Sequence, residues 1–377
     1  MRPWDAAAAA AGGGRRMLGL LLLLLLLPPP SSTTFPLRSR PTESPDMIPP
    51  RVTVNLDEAP EERWLPSLQR FDQDTLRAIL RNVIQHRIPE WFNVFMKEFV
   101  DHLQGSLLEP FVREIRGICN ALNLSFVDGM LINMIYESSM LCTSILVQDA
   151  NGHIYHGRNL DFVSGTGLRN ITVDVQFIKN GQIAYTGTTF IGYVGLWTGQ
   201  SPYKFTVTGN QRQKDQWQKN ATETLFKTHY PPGWFIRKTL EEAKDYKDAV
   251  RRLSNQPLIT NVYCIVGGIN AWEGVVISRN RTDPVDFWLL NPKGEWFLVQ
   301  INCDHWVKCP RTTEFRKIPA SKAFNEAGPE NINLYKLYEI LSLCPILSDI
   351  TVYTTVMSAA NPDEYMTRVR TPSKLCV

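Results

Sequence analysis

The sequence of 377 residues lacks paired metal-binding cysteines and any marked excess of charge. None of its 7 cysteines forms a Cys-x-x-Cys pair or stands at zinc-ligand spacing from histidines. The 40 Lys and Arg residues against 37 Asp and Glu leave a formal net charge of +3, and no basic patch is interleaved with aromatic residues. We therefore expect no metal, no cofactor and no nucleic-acid partner.

Long apolar runs are also scarce, and the one near the N-terminus is too short to cross a membrane. A leucine tract from Leu20 to Leu27 follows Arg15-Arg16 and ends at a Pro/Ser-rich break. A basic flank, a short apolar stretch and such a break are typical of a secretory signal peptide. We predict a signal peptide over residues 1–32 and leave it out of the fold.

Four Asn-x-Ser/Thr patterns support entry into the secretory pathway. They begin at Asn123, Asn170, Asn220 and Asn280. Each is a glycosylation acceptor only on a lumenal or extracellular protein. An odd number of cysteines in such an oxidising compartment leaves at least one thiol without an intrachain partner, and our candidate is Cys142.

The remaining chain divides into a helical part and a part dominated by strands. Residues 60–138 carry apolar residues at helical spacing, with a helix start near Ser125. From Cys142 onward the pattern predicts two hairpins, with Asn151-Gly152 and Asn180-Gly181 in their turns. Further strands follow, and the last is predicted at Thr351–Met357. The order of elements favours an α+β fold in which helices cover sheets.

Cys142 lies at the seam between the two parts. If the chain is cut between Leu141 and Cys142, one residue carries a thiol nucleophile and an α-amine with a pKa of about 8, which can act as its base. The thiol can itself make this cut by attacking the Leu141 carbonyl. The alternatives are a small buried residue that opens a strand, and a papain-like Cys-His pair, for which the flanking sequence is absent.

The predicted hairpin returns Arg158 and Asp161 to the neighbourhood of Cys142. A carboxylate there can hold the new ammonium group, and a guanidinium can orient a substrate carbonyl or favour the thiolate. The alternative is that Arg158 and Asp161 form an ordinary surface ion pair.

Several segments resemble the family of N-terminal nucleophile hydrolases that comprises N-acylethanolamine acid amidase and acid ceramidase. The segments are "LCTSILVQDANGHIYHGRNLDF" from Leu141, "TGTTFIGYVGLWTGQSPYKFTVTG" from Thr186, "NVYCIVGGINAWEGVVISRNR" from Asn261 and "YTTVMSAANPDEYMTR" from Tyr353. The resemblance implies a four-layer αββα fold. It also implies a precursor cut before Cys142 into a helical α chain (33–141) and a catalytic β chain (142–377) that stay together as an α/β heterodimer.

The resemblance also implies roles for individual residues. Cys142 matches the nucleophile and general base, Arg158 and Asp161 the polar pair beside it, and Asn302 a residue that helps to bind the developing oxyanion. Backbone N–H groups between Tyr193 and Trp197 are further candidates for that anion.

Two more positions follow from the same resemblance. Arg316 matches another arginine of the family. Gln211 stands where relatives tend to carry an acidic residue, so this chain lacks a negative charge that balances Arg158 there.

The substrate implied by the resemblance is a fatty acid amide of ethanolamine, such as palmitoylethanolamide, hydrolysed in the lysosome at acidic pH. The close alternative is ceramide hydrolysis, and a non-catalytic lumenal lipid-binding protein is an alternative of another class. Because the substrate resides in membranes or micelles, we expect an exposed hydrophobic surface where the enzyme contacts the lipid. Trp91, Phe92 and Phe95 are candidates for an interfacial helix, although they can equally form the core between helices.

Overall fold

The computed structural model describes residues 46–85, 108–137, 140–163, 165–212, 228–309 and 311–371. The predictions on Trp91, Phe92, Phe95 and Asn220, and on the signal peptide, lie outside these residues. Among the helices so described, none is by itself long and apolar enough to cross a membrane. The helices at 111–122 and 126–135 pass that test only as a pair, with a bend of 119° between them.

The described chain alternates between helices and strands. The helices are α1 (Leu65–Leu68), α2 (Gln73–Gln85), α3 (Phe111–Leu122), α4 (Phe126–Ile135), α5 (Thr166–Asn170), α6 (Pro232–Glu242), α7 (Tyr246–Asn255), α8 (Arg311–Ala327) and α9 (Leu334–Leu341). The strands are β1 (Arg51–Asn55), β2 (Met140–Gln148), β3 (Ile154–Phe162), β4 (Thr172–Lys179), β5 (Gln182–Phe190), β6 (Thr198–Ser201), β7 (Phe205–Gln211), β8 (Val262–Gly267), β9 (Gly274–Arg279), β10 (Pro284–Leu289), β11 (Phe297–Gln300), β12 (Thr351–Met357) and β13 (Met366–Val369).

The strands form two sheets that pack face to face between helices. The larger sheet has the order β1-β4-β5-β6-β7-β8-β9-β10, and the smaller has the order β11-β2-β3-β12-β13. Strands β2 and β3 pack against β7 and β8, α6 and α7 cover the outer face of the larger sheet, and α8 and α9 cover the smaller one. These four layers confirm the αββα fold.

Local signals define the two hairpins and the start of α4. Strand β2 pairs with β3 and β4 with β5, both antiparallel, as predicted. Gly152 (φ 88°), Asn180 (φ 52°) and Gly181 (φ 74°) adopt the positive φ that tight turns need and that Gly and Asn tolerate best. Ser125 accepts a hydrogen bond from the backbone N–H of Asp128 and so caps α4.

Alternation along β2 decides which side chains reach the active-site side of the small sheet. Ile145 and Val147 belong to the core between the small sheet and α8–α9. Leu146 belongs to the core between the two sheets. Since successive side chains of a strand point to opposite faces, Cys142 and Ser144 share the face of Leu146 and are directed toward the larger sheet.

Three elements differ from expectation. Strand β1 was not predicted; its Val52 and Val54 are buried, and it pairs in parallel with β4. Thr351–Met357 is not the last strand, since β13 follows and pairs with it. Helix α8 was not predicted; it contains Pro319 and leaves Ile318 exposed, so its apolar pattern is weak.

Candidate active site

Cys142 is completely buried and its thiol faces a guanidinium. Nη2 of Arg158 lies 2.5 Å from Sγ of Cys142. The other terminal nitrogen, Nη1, donates to the backbone oxygen of Trp197 and, at 3.0 Å, to Oγ1 of Thr198. Burial raises the pKa of the Cys142 thiol, whereas the positive charge of Arg158 lowers it. The effect of burial is the larger of the two, so the net shift of the thiol pKa is upward and Arg158 offsets only part of it.

Register explains how Arg158 reaches the thiol. Cys142 pairs with Leu160 and Ser144 with Arg158. Arg158 therefore lies two positions along the hairpin from Cys142, which places both side chains on the same face of the sheet. The hairpin prediction is thereby confirmed at the level of individual side chains.

The backbone nitrogen of Cys142 has its own acceptor. It donates to Oδ1 of Asn302 at 2.8 Å, and Nδ2 of Asn302 donates to the backbone oxygen of Gln211 at 2.9 Å. Strand β11 pairs with β2 so that Gln300 lies opposite Ser144, and continuing this register brings Asn302 to Cys142. The observed contact of Asn302 is thus with the nitrogen that becomes the α-amine if the chain is cut, and Nδ2 is the group that can donate to an oxyanion.

Asp161 lies near Cys142 but on the other face of β3 from Arg158. Its Oδ2 accepts from Nη1 of Arg316 at 3.0 Å and its Oδ1 from Oγ1 of Thr351 at 2.6 Å. A spacing of three residues in a strand places two side chains on opposite faces. Arg158 and Asp161 are both buried and are not bonded to each other, so the alternative of a surface ion pair is wrong.

The environment of Asp161 makes it a weaker acid than an ordinary aspartic acid. Burial raises the pKa of its carboxyl to about 6, while Arg316 and Thr351 act in the opposite direction. It can therefore change its protonation in a mildly acidic compartment.

Arg316, on α8, connects three polar side chains near Cys142 by hydrogen bonds. It donates to Asp161, to Oγ1 of Thr143 at 3.2 Å and to Oδ1 of Asn302 at 3.2 Å. Arg316, which was singled out only from the family resemblance, is therefore a central contact of this cluster. Thr143 was not singled out from the sequence; it lies in the segment from Leu141 that resembles the family.

The segment from Tyr193 to Trp197 supports the site through a carbonyl. The N–H groups of Tyr193, Val194 and Leu196 already donate to acceptors within the fold. The Trp197 carbonyl accepts from Arg158. In this structure the segment positions the guanidinium, and three of the N–H groups proposed for the oxyanion are occupied.

Glu137 is a buried acid that sequence reasoning missed. Its Oε1 accepts from the Tyr193 hydroxyl at 2.5 Å, and its Oε2 accepts from the N–H of Gly233 at 3.1 Å. Burial raises its pKa to about 8. No periodicity or motif marks it, because its partners are 56 and 96 residues away along the chain.

The described cysteines are either disulfide-bonded or free thiols. Cys303 and Cys309 form a disulfide, and Cys344 is also disulfide-bonded. Cys119, Cys142 and Cys264 are buried and unpaired, which confirms Cys142 as a free thiol.

The predictions on metal binding and on glycosylation concern other side chains of the described residues. Among the described residues no group of His, Cys, Asp and Glu is arranged to hold a metal ion. Asn123, Asn170 and Asn280 are exposed, so a glycosyltransferase can reach them. Their glycosylation stays a prediction.

Two family models match this chain. The beta subunit of N-acylethanolamine-hydrolyzing acid amidase matches residues 48–107. The linear amide C-N hydrolases of the choloylglycine hydrolase family match residues 142–281. The second match begins at Cys142, the residue predicted to open the catalytic chain. The label "beta subunit" falls on the helical segment that we named the α chain above.

Similar proteins include amidases and, at lower identity, ceramidases. N-acylethanolamine-hydrolyzing acid amidase of Cavia porcellus is 54% identical over 85% of this chain and 91% of its own length. The Mus musculus enzyme of the same name is 52% identical over 86% of this chain and 90% of its own. Acid ceramidase of Bos taurus is 33% identical over 82% of this chain and 83% of its own length.

A solved structure agrees with these matches. The Caenorhabditis elegans ortholog of N-acylethanolamine-hydrolyzing acid amidase is 38% identical, with a TM-score of 0.55, over 61% of this chain and 100% of its own. The fold, the buried contact between Cys142 and Arg158, and the high identity over most of the length all indicate the same family. The chain belongs to the N-acylethanolamine-hydrolyzing acid amidase family, a group of cysteine amidohydrolases with the N-terminal nucleophile fold.

Proposed function

We propose that this protein hydrolyses N-acylethanolamines, such as palmitoylethanolamide, to a fatty acid and ethanolamine. The observation that carries the proposal is the 54% identity over 85% of the chain to an enzyme of that name. The Cys142 thiol is the nucleophile that such a reaction needs, and Arg158 contacts it at 2.5 Å.

The proposed activation is a cut of the Leu141–Cys142 bond by the Cys142 thiol. Sγ attacks the Leu141 carbonyl carbon, the peptide nitrogen leaves with the proton of the thiol, and water hydrolyses the thioester. The cut frees an α-amine at the position where Asn302 now accepts from the backbone N–H. Because Sγ is fully buried in the uncut chain, substrate reaches it only after the covering residues have moved.

Turnover then follows the same chemistry. The α-amine of Cys142 accepts the thiol proton as Sγ attacks the substrate carbonyl, and it passes that proton to the nitrogen of the leaving ethanolamine. Water, losing a proton to the α-amine, attacks the thioester and releases the fatty acid. The thiolate that leaves takes up this proton and restores the starting state.

The proposal extends to processing and location. Removal of residues 1–32 and the cut before Cys142 leave chains 33–141 and 142–377, associated as a heterodimer. The leader and the acceptor asparagines support lumenal delivery, and we place the enzyme in the lysosome, where an acidic lumen suits an acid with a pKa of about 6 at Asp161. A membrane or micelle surface supplies the lipid amide.

The test of activation compares the wild-type protein with two cysteine variants. Purified, deglycosylated wild type, Cys142→Ala and Cys264→Ala are incubated at mildly acidic pH, and intact masses and N-termini are determined. We expect a fragment that begins at Cys142 in wild type and in Cys264→Ala, and none in Cys142→Ala. Cys264 is a matched control because its thiol is also buried and unpaired. A stable uncut wild-type chain contradicts the mechanism and leaves lipid binding as the alternative.

The test of substrate separates the amidase from a ceramidase. Hydrolysis of N-palmitoylethanolamine and of N-palmitoylsphingosine is measured with the cut enzyme in the same detergent. We expect faster turnover of the ethanolamide. Faster turnover of the sphingosine amide favours the second candidate, which the 33% identity to acid ceramidase supports.

A further inference from the structure

A buried ion pair lies two residues beyond Asn302. Nε and Nη2 of Arg212 donate to the two carboxylate oxygens of Asp304, at 2.7 and 2.9 Å, and both side chains are nearly buried. The hydroxyl of Tyr263 adds a third hydrogen bond to Asp304, at 2.7 Å. Burial alone raises the pKa of Asp304, but the bonds from Arg212 and Tyr263 hold it below its ordinary value. The carboxylate is therefore charged and fully engaged.

This pair clamps together the two backbone segments that hold the Asn302 side chain. Gln211, whose carbonyl accepts from Nδ2 of Asn302, directly precedes Arg212. Asp304 follows Asn302 in the same loop. A bidentate guanidinium–carboxylate contact fixes both distance and orientation, which a single hydrogen bond does not do.

The loop needs such a contact because it has no strand partner of its own. Residues 301–309 follow β11 and lie outside the named strands and helices. The Cys303–Cys309 disulfide closes the loop upon itself, and His305 attaches it to Asp286 on β10 at 2.9 Å. Asp304 attaches the loop to Arg212 and to Tyr263. These two contacts lie on the side of the loop where Asn302 meets Cys142.

The energetic character of the contact also favours a geometric role. A buried ion pair contributes little net stability, since desolvation of two charges offsets their attraction. What it provides is a fixed arrangement. A shift of about 1 Å in a catalytic group costs on the order of a hundredfold in rate.

We infer that Arg212 and Asp304 are positioning residues, which hold the Asn302 amide against the nitrogen of Cys142 for the cut and for turnover. The inference rests on the proposed function of Cys142. It predicts that disturbing the pair lowers kcat and leaves KM nearly unchanged, because the Asn302 amide that the pair positions acts in the transition state.

The kinetic test uses Arg212→Lys, which keeps the charge but loses the bidentate contact. With N-palmitoylethanolamine and enzyme counted by active-site titration, we expect kcat to fall by about tenfold or more, with KM within about twofold. Asp286→Ala is the matched control, because it removes another side-chain attachment of the same loop, the contact with His305, and leaves the Arg212–Asp304 pair intact. A kcat of Arg212→Lys equal to that of wild type overturns the inference.

A structural readout keeps the test independent of activity. Crystal structures of Cys142→Ala and of Cys142→Ala/Arg212→Lys are compared, and we expect the distance from Oδ1 of Asn302 to the nitrogen of residue 142 to exceed about 3.5 Å only in the second. An unchanged distance overturns the inference even if the wild type cleaves no amide. Failure of the wild type to be cut contradicts the proposed function instead.

A purely structural role is separated by a third variant. Arg212→Met/Asp304→Leu replaces the pair by apolar side chains of similar size, a change that is often neutral or stabilising in protein interiors. We expect this variant to fold and to have the low kcat of Arg212→Lys. Full kcat in the folded double variant assigns the pair to packing alone and refutes the positioning role.

Discussion

Replacing Glu137 by glutamine should remove a large part of the pH dependence of stability. Burial raises the pKa of this carboxyl to about 8, whereas an unfolded chain has a pKa near the ordinary value of 4.5. Below pH 4.5 both states hold the proton. As the pH rises, the unfolded state releases its proton while the folded state still keeps it, so folding stability is lost between these two pKa values.

The magnitude follows from the width of that interval. Each pH unit within it costs about 1.4 kcal/mol, so the loss attributable to Glu137 is of the order of 4 kcal/mol between pH 4.5 and pH 7.5. Glutamine fits the site because its oxygen can accept from the Gly233 N–H, while its amide nitrogen donates to the Tyr193 oxygen. It thus imitates the protonated acid and does not titrate.

The assay is urea unfolding of Cys142→Ala and of Cys142→Ala/Glu137→Gln at half-unit steps from pH 4.5 to 7.5. The Cys142→Ala background keeps both chains uncut. Other buried acids with a pKa of about 6, Asp161 and Asp174, occur in both proteins and cancel in the difference. We expect similar free energies of unfolding at pH 4.5 and a widening advantage of the glutamine variant toward pH 7.5.

The control is Glu62→Gln in the same background, since Glu62 is exposed. It should leave the slope of stability against pH unchanged. Equal slopes with and without Glu137→Gln would refute the reasoning, because they would mean that the folded state ionises Glu137 as readily as the unfolded chain.

Two other perturbations test the electrostatics and the loop of the site. In the Cys142→Ala background, Arg316→Met removes the charge that lowers the pKa of Asp161, so this pKa should rise above about 6. The free energy of unfolding should therefore fall more at pH 7.5, where Asp161 must ionise without its partner, than at pH 4.5. Urea unfolding at the two pH values measures this, and an equal loss at both contradicts it. Cys303→Ser/Cys309→Ser opens a loop with a sequence separation of 6, and we expect the free energy of unfolding to fall by about 2 kcal/mol. Unchanged urea midpoints in the double serine variant would show that other contacts already hold the loop.

The hairpins around Cys142 were predictable because their signals are local. The two hairpins follow from Asn-Gly turns and alternating side chains, which act over a few residues. The αββα fold and the family followed from the segments that resemble known hydrolases. The free thiol of Cys142 followed from the odd number of cysteines. Processing, glycosylation and lysosomal location stay predictions.

Only the tertiary structure decided which polar groups meet. The 5-residue strand β1 finds its partner β4 more than 100 positions along the chain, and no local pattern specifies that pairing. Arg316 comes from a helix with a weak apolar pattern, yet it contacts Asp161 across 155 residues of sequence.

The same division holds within the active site. The sequence by itself determined that Cys142 lies near the start of a strand, which begins two residues earlier, at Met140, and that Arg158 and Asp161 return to its vicinity. Strand alternation places these two side chains on opposite faces, but which face meets the larger sheet and which meets the helices is set by packing. The stacked sheets turn Arg158 toward the thiol, and the helices on the other side take Asp161 to Arg316.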